Sequence, residues 1–417
     1  MSEPEPEEQG EPTSASTSAR ANRLSPLRFV VGFGIVSMLA DFVYEGGRSV
    51  IGPYLATFGA SAAMVGLISG AGEAVALVFR LVTGPLADRT GRHWALSLAG
   101  YLLTAVCVPL LAVAGTLSSA AVLIFGERFG KAVRSPAKST LLSHAGAVLG
   151  QGRAFAVNEA LDQTGAVLGP LLVAGMIVVS GYRLGFAVLA IPAVLVLLAL
   201  LRLRLAVPTP ADYEPATAPA AVPHRAPGTG HTRWWRRFTP RFWGYTVFTT
   251  LTMGGYATFA VLAYFWQIHH VLPTALIPVV YAAAMGVDAL AALASGKLYD
   301  RIGLRGLVVL PVLAAAVPFL AFTTQPALIW IGALVWGAAM GVHESTMKAA
   351  VADLVPAARR GTGYGVFTTS YGIAWLAGSV IIGALSQTSF TAVITFTLIL
   401  QGCALVVFVP LIRQSSQ

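Results

Sequence analysis

Twelve stretches of this chain are apolar for about twenty residues each, and that length limits its fold more than any other feature. A helix needs roughly 20 apolar residues to cross the hydrocarbon core of a bilayer. The runs lie near 28–58, 62–87, 93–115, 118–140, 153–180 and 183–205, then near 241–268, 273–297, 304–323, 327–353, 361–386 and 390–413. Charged residues make up 11% of the 417 positions, against about 25% in a soluble protein. They are too few to clothe a soluble surface. Cys107 and Cys403 both fall inside apolar runs, so no disulfide framework is expected. The chain reads as an all-α membrane protein of twelve transmembrane helices.

The polar segments give its organisation. Residues 1–27 are rich in Glu, Pro and Ser and read as a disordered tail. They have no basic stretch followed by a short apolar run and a cleavage site, so a signal peptide is not expected. Residues 28–205 form a first six-helix bundle, 206–240 a central loop, 241–413 a second six-helix bundle, and 414–417 a short C-terminal tail. The loop is rich in Pro and Ala and then basic, with Trp234, Trp235, Arg236 and Arg237 placed to meet the membrane surface. Arginine and lysine set the orientation. Arg89, Arg92, Arg134, Lys138, Arg153, Arg301 and Arg305 lie on the side that holds the termini and the central loop, whereas the opposite side has Arg183. By the positive-inside rule both termini and the loop are cytoplasmic, in the cell (inner or plasma) membrane. The net charge of +9 then reflects topology, and no nucleic-acid partner is expected.

A repeat relates the two halves. Gly84-Pro85-Leu86-Ala87-Asp88-Arg89-Thr90-Gly91-Arg92 ends the second run, and Gly296-Lys297-Leu298-Tyr299-Asp300-Arg301-Ile302-Gly303 ends the eighth. Gly152-Arg153-Ala154-Phe155 is echoed by Arg360-Gly361-Thr362-Gly363-Tyr364-Gly365, each opening the fifth run of its half. Alone, one such loop would be a tight charged turn, with Gly permitting the bend and Asp capping the next helix. Two copies in register suggest parallel repeats with a site at their interface. The doubled G-x-L-x-D-R-x-G pattern resembles the hallmark loop of the major facilitator superfamily, and the resemblance covers about residues 28–413. It implies two six-helix pseudo-repeats around a central cavity. It also implies that Gly84, Asp88, Arg89, Gly91 and Arg92, with Gly296, Asp300, Arg301 and Gly303, latch the outward-open state. Two further segments are similar to motifs of that family. Leu123–Ala132 matches the fourth-span motif at Arg128, with Lys131 where Gln is usual. Gly165, Gly169 and Pro170 match part of the antiporter motif, with Val173 and Ala174 in place of its last glycines; the same spacing also suits close helix packing and a kink. Gly126–Lys131 is no phosphate loop, because its spacing is one residue short and no Ser or Thr follows the Lys. ATP is not expected.

Charges inside the spans are candidate functional groups, since each costs about 2.5–3.5 kcal/mol at a helix centre. The first run offers Asp41, Glu45 and Arg48 on one stripe, and the second offers Glu73 and Arg80. The fourth offers Glu127, Arg128, Lys131 and Arg134, and the fifth Glu159 and Asp162. The second half offers Asp288, His343, Glu344 and Lys348. Any one pair can be a buried ion pair that orients helices. Six acids in the first half exceed what packing requires, and carboxyls sharing a low-dielectric cavity can load and release protons. Asp41 and Glu45 are the leading expected proton carriers. Arg128 and Lys131 would tune them or bind an anionic substrate group. His269 and His270 read as surface residues. The aromatic-rich seventh run carries Gly254-Gly255, which suggests a broken helix.

The function expected is secondary active transport by alternating access: proton-coupled efflux of a small organic, drug-like or amphiphilic solute. Import of an organic or sugar-like nutrient with protons, export of an organic anion or oxyanion, and a transport-inactive sensor stay open. A membrane-embedded enzyme is disfavoured, because no catalytic motif is found. No cofactor and no metal are expected, and a monomer suffices.

Overall fold

The computed structural model describes residues 24–214, 238–355 and 360–413. Most of the expected tail, the middle of the central loop, and residues 356–359 and 414–417 lie outside the described residues. Fifteen α-helices and no strand occur among the described residues. Their starts follow local rules. Ser25 caps α1 (Pro26–Arg48), with Pro26 at the first helical position, where a missing N–H costs nothing. Ser61 caps α3 (Ala62–Val78), and Thr116 and Ser119 form a reciprocal capping pair on α6 (Leu117–Leu149).

Nine stretches of helix are long and apolar enough to cross a membrane among the described residues. Two of them, Gln151–Ala206 and Leu276–Ala321, run 56 and 46 residues. At 1.5 Å per residue they are roughly two to three times the ~30 Å of hydrocarbon, and both double back. The first turns at Ser180–Gly181, where Gly181 has φ 69°, giving α7 (Gln151–Ala187) and α8 (Ala190–Ala206). The second turns after Gly303, φ 60°, giving α11 (Leu276–Ile302) and α12 (Val309–Ala321). The charge-bearing α6 completes the expected twelve crossings.

Two crossings are broken. The first runs as α1 and a short α2 (Ile51–Ala56). The seventh runs as α9 (Pro240–Gly254) and α10 (Phe259–Ile268), parted at the Gly254-Gly255 pair. They hold equivalent places in the two halves, and they meet: a Cβ added at Gly52 would overlap the Ala260 carbonyl. Within the first half α1 packs on α7, and α5 (His93–Leu110) on α6. Within the second half α11 and α12 pack on α13 (Pro326–Leu354), and α9 packs on α14 (Arg360–Ser386) and α15 (Phe390–Arg413). Between halves α3 lies along α14, α7 along α11, and α2 along α10.

The repeated loop motif is built differently from the simplest expectation. Gly84 lies within α4 (Arg80–Thr90) and Gly296 within α11, both helical, with open space where a Cβ would go. The turns belong to the second glycine of each copy, Gly91 with φ 61° and Gly303 with φ 60°, a backbone region that glycine enters without strain. Asp88 caps nothing; it lies in the last turn of α4. Lys138 also departs from expectation. It sits inside α6, which continues to Leu149, and not in the connection after it.

Candidate functional site

The charged residues of the first half converge on one ladder. Arg128, Lys131, Arg134 and Lys138 follow one another on α6 at helical spacing, so they share a face. Their partners come from α1, α3 and α7. Nearest the end that carries the termini, Lys138 Nζ is 2.7 Å from Asp162, which also accepts a hydrogen bond from Asn158 Nδ2 at 3.1 Å. Arg134 lies 3.6 Å from Asp41 and donates to Thr104 at 3.0 Å. Arg128 pairs with Glu73 at 3.4 Å and with its neighbour Glu127 at 3.4 Å. Arg48 completes the cluster, 2.9 Å from Glu73 and 3.5 Å from Glu45. Glu73, Glu127 and Arg128 are buried and Arg48 nearly so, and pairing is what makes buried charge tolerable.

Lys131 is the exception on the ladder. Among the described residues no carboxylate lies within 4 Å of its Nζ. It rests instead over the face of Tyr44, 3.9 Å from the ring centroid. The same ring takes the Arg128 guanidinium at 4.5 Å and that of Arg48 at 5.8 Å, and its hydroxyl accepts from Arg128. Tyr44 thus gathers three cations on α1 and α6, held by its ring quadrupole.

The second half answers with the opposite imbalance. Asp288 on α11 is 3% exposed, and among the described residues no cation lies within ion-pair distance. Gln163 Nε2 donates to one oxygen at 3.4 Å, and the other is buried without a hydrogen-bond partner. Glu45, Glu159 and Glu344 lie within electrostatic reach. An ionised carboxylate so placed is costly, and a neutral one is not. Glu45 links the two imbalances: the Tyr281 hydroxyl, two turns before Asp288 on α11, donates to it across the halves. Ser69 and Thr258 make a second crossing at 2.9 Å.

The remaining expected residues divide. Glu159 on α7 and Glu344 on α13 come from opposite halves, lie within electrostatic reach of each other, and are both exposed. They mark a solvent-accessible gap between the halves. His343 is buried, its ring edge-on to Tyr371 at 4.9 Å between centroids. The Lys348 side chain lies outside the described residues. Tyr256 and Phe259 pack on Trp336 inside the second half, with Tyr256 stacked at 5.7 Å. His269 and His270 are exposed. Gly165 and Gly169 lie where the α7 backbone touches that of α1, so a Cβ there would overlap the Met38 and Phe42 carbonyls. Pro170 is buried in the same helix. Asp88, Arg89, Arg92, Asp300 and Arg301 are exposed, and among the described residues no ion pair joins the two loops.

Sequence reasoning missed Tyr44, Tyr281, Gln163 and the inward role of Lys138. Tyr44 had a usable signal: it is three residues after Asp41 and four before Arg48, hence on the same stripe. Lys138 extends the spacing of Arg128, Lys131 and Arg134. Tyr281 and Gln163 act across the halves, which no local pattern reports.

A family model described as the Major Facilitator Superfamily matches residues 33–379 and 275–416. An uncharacterised protein of Mycobacterium tuberculosis is 50% identical over 385 residues, 92% of each chain. An uncharacterised MFS-type transporter of Methanocaldococcus jannaschii is 24% identical over 362 residues, 85% of this chain and 88% of that one. Among solved structures, the nucleoside transporter NupG superposes with a TM-score of 0.70 at 16% identity, covering 92% of this chain and 98% of that one. A bacterial homologue of the human lysosomal transporter Spinster, inward-facing and unoccupied, gives 0.68 at 15% identity, covering 93% and 97%. The peptide transporter POT in complex with alafosfalin gives 0.69 at 15%, covering 93% and 94%.

Proposed function

The chain belongs to the major facilitator superfamily, and on that footing we propose that it is a proton-coupled transporter exporting a small organic solute with an anionic group. Its fold is that of secondary transporters, which move solutes by alternating access. The observation that carries the finer reading is the pair of unmatched charges. Among the described residues, Lys131 has no carboxylate within ion-pair distance, and the buried Asp288 has no cation within it. A solute anion completes the ladder at Lys131, with the Tyr44 face beside it. A proton on Asp288 completes the second half, reached from the gap through Glu159 and Glu344. Glu45, tied to Arg48 and to Tyr281, transmits the state of one half to the other. On this reading Asp288 is the leading proton carrier, ahead of Asp41 and Glu45, which face Arg134 and Arg48. Export rests on the antiporter-like Gly165–Pro170 segment. Solved proteins of this fold include a nucleoside and a peptide transporter, in keeping with a small organic solute.

The test is internal pH in proteoliposomes while candidate solutes are added outside. Solute-dependent proton movement is expected in the wild type and absent in Asp288→Asn. Unchanged proton movement in Asp288→Asn overturns the assignment, and solute flux with no proton movement in the wild type overturns proton coupling itself.

A further inference from the structure

At the end of the second half that carries the termini, the starts and ends of three spanning helices enclose a cavity of about 490 Å³. Arg241 enters it from the first turn of α9, Tyr299 and Arg301 from the last turns of α11, Arg305 from the turn Gly303–Val308, and Asp353 from the end of α13. Three guanidiniums and one carboxylate thus line the cavity. One oxygen of that carboxylate is already engaged, accepting from the Tyr299 hydroxyl at 2.7 Å. Arg241 Nε is buried without a hydrogen-bond partner among the described residues, a donor left unmet in a lining that mixes polar and apolar residues. Arg301 and Arg305 are exposed. Beside them Ile302 presents an apolar wall, 47% exposed.

We propose that this cavity binds a phosphate-bearing anion, in the first place the headgroup of an anionic phospholipid. Guanidinium forks match phosphate oxygens two at a time, so three of them select phosphate over a single carboxylate. The cavity lies where spanning helices end, which is the depth of lipid headgroups, and the arginine excess assigns that end to the cytoplasmic leaflet. Ile302 gives an acyl chain a surface to lie on, which soluble phosphate would not use. The cavity is distinct from the charge ladder, and the proposal holds whatever solute the protein carries.

The full chain is placed in nanodiscs of phosphatidylcholine, with and without phosphatidylglycerol, and thermal unfolding is followed. Inorganic phosphate added to the phosphatidylcholine discs is the second arm. Phosphatidylglycerol is expected to raise the unfolding temperature. Combining Arg241→Gln, Arg301→Gln and Arg305→Gln is expected to weaken its binding by about a hundredfold, three cations at the usual increment per arginine. Asp353→Asn, which removes the one acid, is expected to strengthen binding; Arg204→Gln, exposed at the end of α8, is expected to leave it unchanged. A shift with inorganic phosphate that matches phosphatidylglycerol and disappears in the arginine variant supports the site with a soluble ligand. No shift in either arm overturns the proposal, as does an undiminished shift in the arginine variant. Should that variant not fold, Arg305→Gln and Asp353→Asn decide, and wild-type binding in both overturns it.

Discussion

Arg128 and Lys131 are one turn apart on α6, and their partners give them opposite expectations. Removing Arg128 strands Glu127 in a buried setting and leaves Glu73 to Arg48 alone. Breaking a buried pair in this way costs about 3–5 kcal/mol, so Arg128→Met should unfold at markedly lower temperature by thermal melt. Lys131→Gln breaks no ion pair among the described residues and loses a cation–π contact worth about 0.5–2 kcal/mol. It should melt close to the wild type yet fail to bind or move solute. Equal melting of the two variants would contradict the ladder. The acids and bases themselves were legible, because charge inside an apolar run is conspicuous. Their pairing was not. Asp41 and Glu45 looked equivalent in the sequence, four residues apart on one stripe, yet α6 supplies Arg134 to one and α11 supplies Tyr281 to the other. Which acid is left without a cation depends on residues more than a hundred positions away in the chain, as Gln163 is from Asp288.

Helices meet most closely where glycine removes the side chain. Gly165 and Gly169 bring α7 against the carbonyls of α1, the small-residue contact on which membrane helices rely when water supplies no driving force between them. Gly169→Val should therefore push α1 and α7 apart and lower the melting temperature. Gly84→Ala and Gly296→Ala meet open space within helices, and alanine favours a helix by about 0.5–1 kcal/mol over glycine, so both should melt at or above the wild type. A destabilised Gly84→Ala would contradict the helical placement of that residue. The helices were legible from apolar run length, and the break at Gly254-Gly255 from its glycines. The break after Arg48 carried a signal that went unused: Gly46-Gly47 and Gly52-Pro53 flank it, and Pro53 has no N–H for the Ser49 carbonyl. The repeated loop was recognised as a unit, but which of its glycines turns the chain required the backbone angles.

At the end away from the termini α2 meets α10, while toward the other end Glu159 and Glu344 stand exposed between the halves. The two loop motifs, exposed and unbridged among the described residues, fit the same state, in which the latch expected of the outward-open form is disengaged. A cysteine at Glu159 or Glu344 should react with a membrane-impermeant thiol reagent supplied on the side of the termini, and a cysteine at the buried Tyr264 should resist reagent from the opposite side. Reaction of both from the opposite side would contradict this reading. The family and the twelve-span plan were legible because lipid imposes one simple length on every helix; the state was not, since alternating access uses one sequence for two packings. The role of Asp288 as the coupling acid is tested most directly by comparing solute counterflow with flux driven by a proton gradient in Asp288→Asn. Retained counterflow with loss of gradient-driven flux is the predicted result. Gradient-driven flux equal to the wild type would contradict it.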